Sequence, residues 1–351
     1  MQVNYFNGKM FYKEYIKISK LSLHKIGNKL CHEGVEFSKQ EVTVDTELSV
    51  ILKSYFLLSF KKEETFHFTH ISDITLNEVY SYSSLIFDDI EHFHEHSKNI
   101  AKFLYEHSCH PNIKRGELYV VYFKDCIVDG NTMDAIGIFK SENKDTFLRI
   151  NSVAGDFRIE SQTGINIKKM DKGCLIFNTN KDDGYDVFVV DNTNKGEAKY
   201  WIDDFLQVKK RNNNYTQTQN TVALCKRFIS QLPEDITKAD KAAMMNRVAE
   251  NVKQEHVDVN DLADNAFGSR HLVDSFMDFI EDYKSKHDVE IEQSFNGRPE
   301  AVNRRVVNSI TTIKLDNNFD INIHGNNDLI EYGYDELKGM RYYKLFFEEE
   351  R

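Results

Sequence analysis

The first 195 residues alternate between strand-like and helix-like patterns of apolar positions. Two-residue alternation and short apolar runs bounded by turn residues predict strands, whereas recurrence at three or four residues predicts amphipathic helices. Helices are expected after Asp45, a candidate N-cap, and at Leu76–Phe87 and Ile90–His107. Strands are predicted at Ile16–Lys25, Phe66–His70, Gly116–Cys126, Asp134–Lys140, Phe147–Ser152, Ile165–Lys169, Cys174–Asn178 and Tyr185–Asp191.

Gly116–Cys126 (GELYVVYFKDC) is too apolar for a strand with one solvent-exposed face, which indicates a central strand buried on both faces. The turn at Asp129–Asn131 and the return at Asp134–Lys140 predict an antiparallel hairpin. The expected class is α+β, with a largely antiparallel sheet in an N-terminal domain of residues 1–195.

Residues 196–351 change character and are expected to form a helical C-terminal domain closed by a β-meander. Thr237 and Asp240 have the spacing of a capping box, and Ser269–Tyr283 has the clearest apolar stripe in the chain. The tail strands are predicted at Ile310–Leu315, Phe319–His324 and Leu329–Tyr334, with a further strand at Arg341–Phe347.

Composition narrows the classes of partner. The 351 residues carry a net charge of −11, and an acidic chain is a poor general ligand for a polyanion because phosphate affinity comes from Lys and Arg. No apolar run approaches the roughly 18–20 residues that span a bilayer, and the N-terminus lacks the pattern of a signal peptide. Scattered cysteines favour reduced thiols in the cytoplasm over a disulfide framework.

Two local basic islands are the candidate nucleic-acid contacts. Amide and hydroxyl side chains lie between the cations of the first island, and together they suit phosphate contacts. The alternative for each island is a solvated loop or helix face. The candidate residues are Lys209, Lys210, Arg211, Lys226 and Arg227 in the first island and Arg298, Arg304 and Arg305 in the second.

Other candidate chemistry is weaker. His92 and His96 lie four residues apart, as a metal chelate requires, but no third ligand has a matching spacing, so a solvated helix face is favoured for them and for His94. The chain has no phosphate-binding glycine loop, and no metal or cofactor is predicted.

A metal-dependent nuclease would need a carboxylate cluster with Glu-x-Lys order on a hairpin. Asp129 and Asp134 lie near such an element, but Lys140 precedes Glu142. The outward acidic positions between Asp274 and Glu292 leave another alternative open, an adaptor that docks a basic DNA-processing protein.

A family resemblance rests on several longer segments taken together. These segments are Lys20–Lys29, His67–Ile90, Asn99–Leu104, Gly116–Arg149, Ile313–His324 and Gly339–Phe346. In combination they resemble the nucleoid-associated protein family called NdpA or YejK, in a form like that of Bacteroidetes-type bacteria. The resemblance implies a bacterial protein of the cytoplasm and nucleoid, without established enzyme chemistry or a catalytic residue to carry over. It also implies DNA, in direct or indirect contact, as the expected partner, and a homodimer would bring two sets of cations together.

Overall fold

The computed structural model describes residues 4–6, 9–11, 15–60, 64–128, 131–153, 155–193, 199–287, 290–325 and 328–349. The chain divides into two compact units, unit 1 (Met1–Arg211) and unit 2 (Asn212–Arg351).

In its described residues, unit 1 combines an antiparallel sheet with three α-helices. Its helices are α1 (Thr46–Leu57), α2 (Glu78–Asp88) and α3 (Phe93–His107). Its strands are β1 (Asn4–Phe6), β2 (Lys9–Phe11), β3 (Lys17–Ile26), β4 (Val35–Glu36), β5 (Phe66–Phe68), β6 (Gly116–Val128), β7 (Asn131–Ser141), β8 (Asp145–Val153), β9 (Asp156–Gly164), β10 (Lys172–Phe177), β11 (Asp186–Asp191) and β12 (Val208–Lys210).

The main sheet has the order β1-β2-β6-β7-β10-β11-β5-β12, and β3 pairs with both β6 and β4. All of the described pairs are antiparallel. The predicted hairpin of β6 and β7 is confirmed and lies in the middle of this order. A hydrogen-bonded strand at this position needs apolar side chains on both faces, and the sequence of β6 supplies them.

Both faces of the central hairpin are covered. On one face, Val121 and Phe123 pack with α1, whose Phe56 stacks on Phe139 of β7 at a ring-centroid distance of 4.4 Å. On the other face, Leu118 and Val120 pack with α2 and α3. The segment that carries Trp201, Phe205 and Leu206 packs in the same cluster, and all three side chains are buried.

Local signals placed α1 correctly, whereas one predicted strand is wrong. Asp45 caps α1 by accepting a 2.8 Å hydrogen bond from the Leu48 amide. Ile165–Lys169 forms a turn instead of a strand, because the Asn166 side chain accepts from the Lys168 amide at 2.9 Å. The strand partner of β8 is β9, which follows β8 directly and ends just before Ile165; β9 was not predicted.

Unit 2 is helical, with short hairpins. The helices between Asn214 and His287 bury one aromatic cluster, in which the Phe228 ring lies 5.1 Å from both Phe267 and Phe276. The predicted capping box is confirmed, since the amides of Thr237 and Asp240 each bond the other residue's side chain. Its helices are α4 (Asn214–Gln231), α5 (Lys238–Asn251), α6 (Val259–Phe267), α7 (Arg270–His287) and α8 (Arg304–Thr311). Its strands are β13 (Val257–Asp258), β14 (Ser294–Phe295), β15 (Thr312–Leu315), β16 (Phe319–Asn322), β17 (Ile330–Asp335) and β18 (Met340–Leu345).

The tail differs from the predicted meander. In the described part of the chain, β15 pairs with β16 and β17 with β18, so the terminal strands form two separate hairpins. The first of these strands begins at Thr312, two residues after its predicted start at Ile310, because α8 continues to Thr311. Its Val306, Val307 and Ile310 share the spacing of a helix face and pack against the core of unit 2.

The sheet contacts predict which N-terminal fragment folds. A fragment ending at residue 195 lacks Trp201, Phe205, Leu206 and the edge strand β12, which pairs with β5. Burial of these three side chains contributes about 1.5–3 kcal/mol each, a large part of an ordinary domain stability of about 5–15 kcal/mol. We expect fragment 1–211 to unfold cooperatively in urea and fragment 1–195 to be mostly unfolded by circular dichroism. Equal unfolding midpoints for the two fragments would contradict this expectation.

Candidate nucleic-acid interface

The unit 1 part of the first basic island lies at the edge of the main sheet. Lys209 and Lys210 belong to β12, where they stand opposite His67 and Phe66 of β5. Short edge strands with lysines are a common protection against pairing with another chain. Lys210 Nζ also lies 3.0 Å from Glu64 Oε2, so its position has a structural explanation independent of nucleic acid.

Arg211 is held by unit 1 itself. Its Nε lies 2.9 Å from Asp186 Oδ1, and it also pairs with the Asp183 carboxylate. Its Nη2 donates to the carbonyl oxygens of Asp183 and Tyr185, at 2.9 and 2.8 Å. The guanidinium therefore joins the end of β12 to the turn before β11, and two carboxylates compensate its charge.

The remaining candidates belong to unit 2. Lys226 and Arg227 lie near the end of α4, where Lys226 is half-buried and Arg227 is exposed. The Arg227 guanidinium carbon is 5.5 Å from the centre of the Tyr283 ring, a cation–π geometry. Arg298 is exposed, and its amide donates to Thr218 Oγ1 of α4 at 3.1 Å.

Arg304 and Arg305 occupy the first turn of α8 and are both exposed. The Asn303 cap accepts from the Arg305 amide at 3.0 Å. Cations at a helix N-terminus oppose the helix dipole, at a cost of roughly 0.3–1 kcal/mol each. No ion pair joins either guanidinium to a carboxylate in the described part of unit 2, so helix stability does not explain these two residues.

Two element contacts bring the second island close to α4. This helix packs against α8 and against the short helical turn Pro299–Ala301, which begins directly after Arg298. Arg298, Arg304 and Arg305 therefore lie on elements that share one supporting helix.

The match to a known family covers most of both units. The family model described as "Nucleoid-associated protein YejK" matches residues 22–337. The chain belongs to this family. A search of the curated proteins finds no significant match.

The histidines considered for a metal site lie directly before α3 (His92) and in its first turn (His94 and His96). His92 is exposed beside Asp89 and Glu95, at 3.6 and 3.8 Å, and its ring centre is 6.4 Å from that of His96. Among the described residues, no group of three or more His, Cys, Asp or Glu side chains is arranged to hold a metal ion.

His94 is not on a solvated face, contrary to the sequence-based interpretation. Its Nδ1 lies 2.8 Å from Ser22 Oγ of β3, and its Nε2 lies 3.1 Å from the Ser38 carbonyl oxygen. Because a carbonyl only accepts, Nε2 carries the proton and the Ser22 hydroxyl donates to Nδ1. The side chain thus holds α3 against β3.

His24, which the sequence did not single out, completes this contact. It is buried in β3, accepts from the Ser38 amide at Nδ1 (3.3 Å), and its Nε2 lies 3.0 Å from Ser97 Oγ of α3. Burial lowers the pKa of His24 to about 4, with smaller contributions from the nearby His94 and Lys98. The imidazole is therefore neutral near pH 7.

The residues considered for a nuclease are engaged in the fold. Lys140 Nζ lies 2.8 Å from Glu142 Oε1, and both side chains are buried. The Tyr200 hydroxyl donates to the same Glu142 oxygen at 2.8 Å. Asp134 accepts from Tyr122 at 2.7 Å, and Asp129 lies outside the described residues. This network fixes the segment after β11 to β7 and offers no open carboxylate cluster.

A membrane-spanning segment has no candidate among the described helices, none of which combines the necessary length and apolar character.

The pKa of His24 predicts acid sensitivity. Because its pKa is lower in the folded state than the value of about 6.5 in an unfolded chain, protonation favours unfolding. Its stabilising contribution is full above pH 6.5 and is lost as the pH falls towards 4, by on the order of 3 kcal/mol. Urea unfolding at a series of pH values should show this loss, and His24→Gln should remove most of it.

A second variant separates the imidazole from its hydrogen bonds. Ser97→Ala keeps the buried imidazole, and burial is the largest cause of the pKa shift, so this variant should retain most of the pH dependence. A His24→Gln variant with the full wild-type pH dependence would assign the acid sensitivity to other groups.

Proposed function

We propose that this protein is a non-enzymatic nucleoid protein that binds DNA weakly, mainly through phosphate contacts, in the bacterial cytoplasm. Membership in the nucleoid-associated family supports the setting. The observation that carries the mode of binding is the pair of exposed arginines, Arg304 and Arg305, at a helix end where they oppose the dipole. Arg298, Lys226 and Arg227 of the same unit extend the proposed contact.

The unit 1 cations have a smaller share in this proposal. A phosphate would compete with Glu64 for Lys210 and with Asp183 and Asp186 for Arg211. We therefore assign Lys209, Lys210 and Arg211 a supporting role.

The net charge of −11 explains why the proposed affinity is low. Long-range repulsion between an acidic protein and a polyanion lowers the rate of encounter, while local cations supply the attraction. Two copies in a dimer would double the local contacts and raise the apparent affinity through effective concentration.

The dependence of DNA affinity on salt tests the proposal. Each phosphate contact contributes about 0.9 to the slope of log K against log salt concentration. The double variant Arg304→Ala/Arg305→Ala should therefore lower the magnitude of the slope by roughly 1.8 and weaken binding similarly for unrelated sequences. Fluorescence anisotropy with a labelled duplex at several salt concentrations measures both quantities.

A charge-matched control accompanies this experiment. Lys284→Ala/Lys286→Ala removes two positive charges from α7 of the same unit, where both lysines pair with acidic residues of their own helix. We expect the control to keep the wild-type slope. Equal slopes for the wild type and the Arg304/Arg305 variant would refute the phosphate contact.

The exposed acidic face of α7 supports a second candidate function, an adaptor for a basic DNA-processing protein. Asp274 and Asp278 are exposed on this helix, whose opposite side packs in the core of unit 2. Glu281 and Asp282, in contrast, pair with Lys284 and Lys286. Two adjacent turns of the helix thus present carboxylates to a partner.

Charge removal on α7 distinguishes the adaptor from the DNA binder. In capture from a nuclease-treated lysate, Asp274→Asn/Asp278→Asn should lose a partner that the wild type and the Arg304/Arg305 variant retain, because attraction between unlike charges is removed. Loss of all bound proteins on nuclease treatment of the wild-type sample would contradict the adaptor function.

A further inference from the structure

The β8–β9 hairpin of unit 1 is a separate two-stranded sheet, which we call the arm (Asp145–Gly164). Its strands pair with each other along their whole length, from Asp145 opposite Gly164 to Val153 opposite Asp156. They pair with no other strand in the described part of the chain. Nine residues at about 3.4 Å each give the arm a length of roughly 30 Å.

Alternation along the two strands places every charged residue of the arm on one face. The other face, which we call the apolar face, carries only apolar or small hydroxyl side chains. Its four large side chains are 65–76% exposed. The apolar face consists of Thr146, Leu148, Ile150, Ser152, Phe157, Ile159, Ser161 and Thr163.

The charged face is almost balanced. Arg149 stands opposite Glu160, and Arg158 opposite Asn151. With Asp145 and Asp156, the arm has two basic and three acidic residues, a net charge of −1. Neither face therefore has the excess of cations that a DNA-binding arm requires.

The exposed apolar surface of the arm is large enough to form part of an interface. Leu148, Ile150, Phe157 and Ile159 together expose on the order of 500 Å², which is within the range of the largest apolar patch on an ordinary monomer, about 300–600 Å². An isolated two-stranded hairpin is also only marginally stable in water. A standard protein interface takes about 800 Å² from each partner, so the apolar face with its hydroxyl rim supplies most of one such interface.

We propose that the apolar face of the arm is a self-association surface and that its occupant is the same face of a second copy of this chain. A two-fold symmetric interface buries one patch against itself, and such a patch must be complementary to its own rotated image. An uncharged face meets this condition without opposing like charges.

The cross-strand register makes the apolar face complementary to itself in shape. Ile150 stands opposite Ile159, and the rows on either side pair Ser152 with Phe157 and Leu148 with Ser161. When two arms pack face to face about a two-fold axis in the interface plane through the isoleucine row, Phe157 and Leu148 each lie over a serine of the other copy. This holds for an axis parallel to the strands and for one perpendicular to them. Large side chains thus meet small ones, and the isoleucines meet each other.

Substitution on opposite faces of one strand tests the proposal. Ile159→Glu places a charge on the apolar face, whereas Gln162→Glu places the same residue on the charged face. Light scattering with size-exclusion chromatography should give a dimer for the wild type and for Gln162→Glu, and a monomer for Ile159→Glu. Because Ile159 is exposed within one chain, the monomer should keep the wild-type circular dichroism spectrum.

Crosslinking locates the contact independently. In a background of Cys31→Ser/Cys109→Ser, which removes the two exposed thiols, Ile150→Cys should be joined between copies by a short bis-maleimide. Either two-fold axis brings the two copies of residue 150 to about 10 Å, the spacing of packed sheets. The matched variant Gln162→Cys should remain uncrosslinked.

Three results would overturn the proposal: a monomeric wild type at tens of micromolar, a dimeric Ile159→Glu variant, or equal crosslinking at positions 150 and 162. Anisotropy with labelled duplex separates the arm from the proposed DNA function. If Ile159→Glu stays in the wild-type oligomeric state and loses DNA affinity, the arm contacts DNA and the self-association surface is refuted.

Discussion

The hairpin of β6 and β7 is buried on both faces, and this constraint organises unit 1. Leu118 and Val120 of β6 face one apolar cluster, while Val121 and Phe123 face another. Each face loses its hydrophobic stabilisation unless a layer covers it. This accounts for α1 on one side and for α2, α3 and the Trp201 segment on the other.

The same burial dictates the chemistry of the polar groups at the end of β7. Lys140 is fully buried, and desolvation lowers its pKa against the opposing influence of Glu142. Burial also raises the pKa of Tyr200 well above its usual range, so its hydroxyl remains a donor to Glu142. A buried charge of this kind is tolerated only with a partner and further hydrogen bonds. Lys140 and Glu142, which the sequence offered as possible nuclease residues, are therefore parts of the core.

Local signals predicted much of the fold, and long-range contacts decided the remainder. The Asp45 cap, the Thr237–Asp240 box and the central hairpin depend on residues close in sequence, and they were predictable. Isoleucines alternate in Ile165–Lys169 as in a strand, but the choice of β9 as the partner of β8 depends on the turn between them. The eight residues of α8 are too few for periodicity to distinguish a helix from a strand.

For the candidate site, exposure and pairing were the unpredictable quantities. The sequence alone does not distinguish the surroundings of Arg211 from those of Arg304. One pairs with carboxylates 25 and 28 residues away, and the other projects from a helix end. His24 is likewise an ordinary strand residue until α3 is placed beside it.

The lysines of β12 have a consequence for assembly. They discourage sheet-to-sheet growth at that edge, and open-ended growth of this kind produces filaments. The contact proposed for the apolar face of the arm instead closes on itself after two copies, so a high local concentration of the chain would yield discrete dimers.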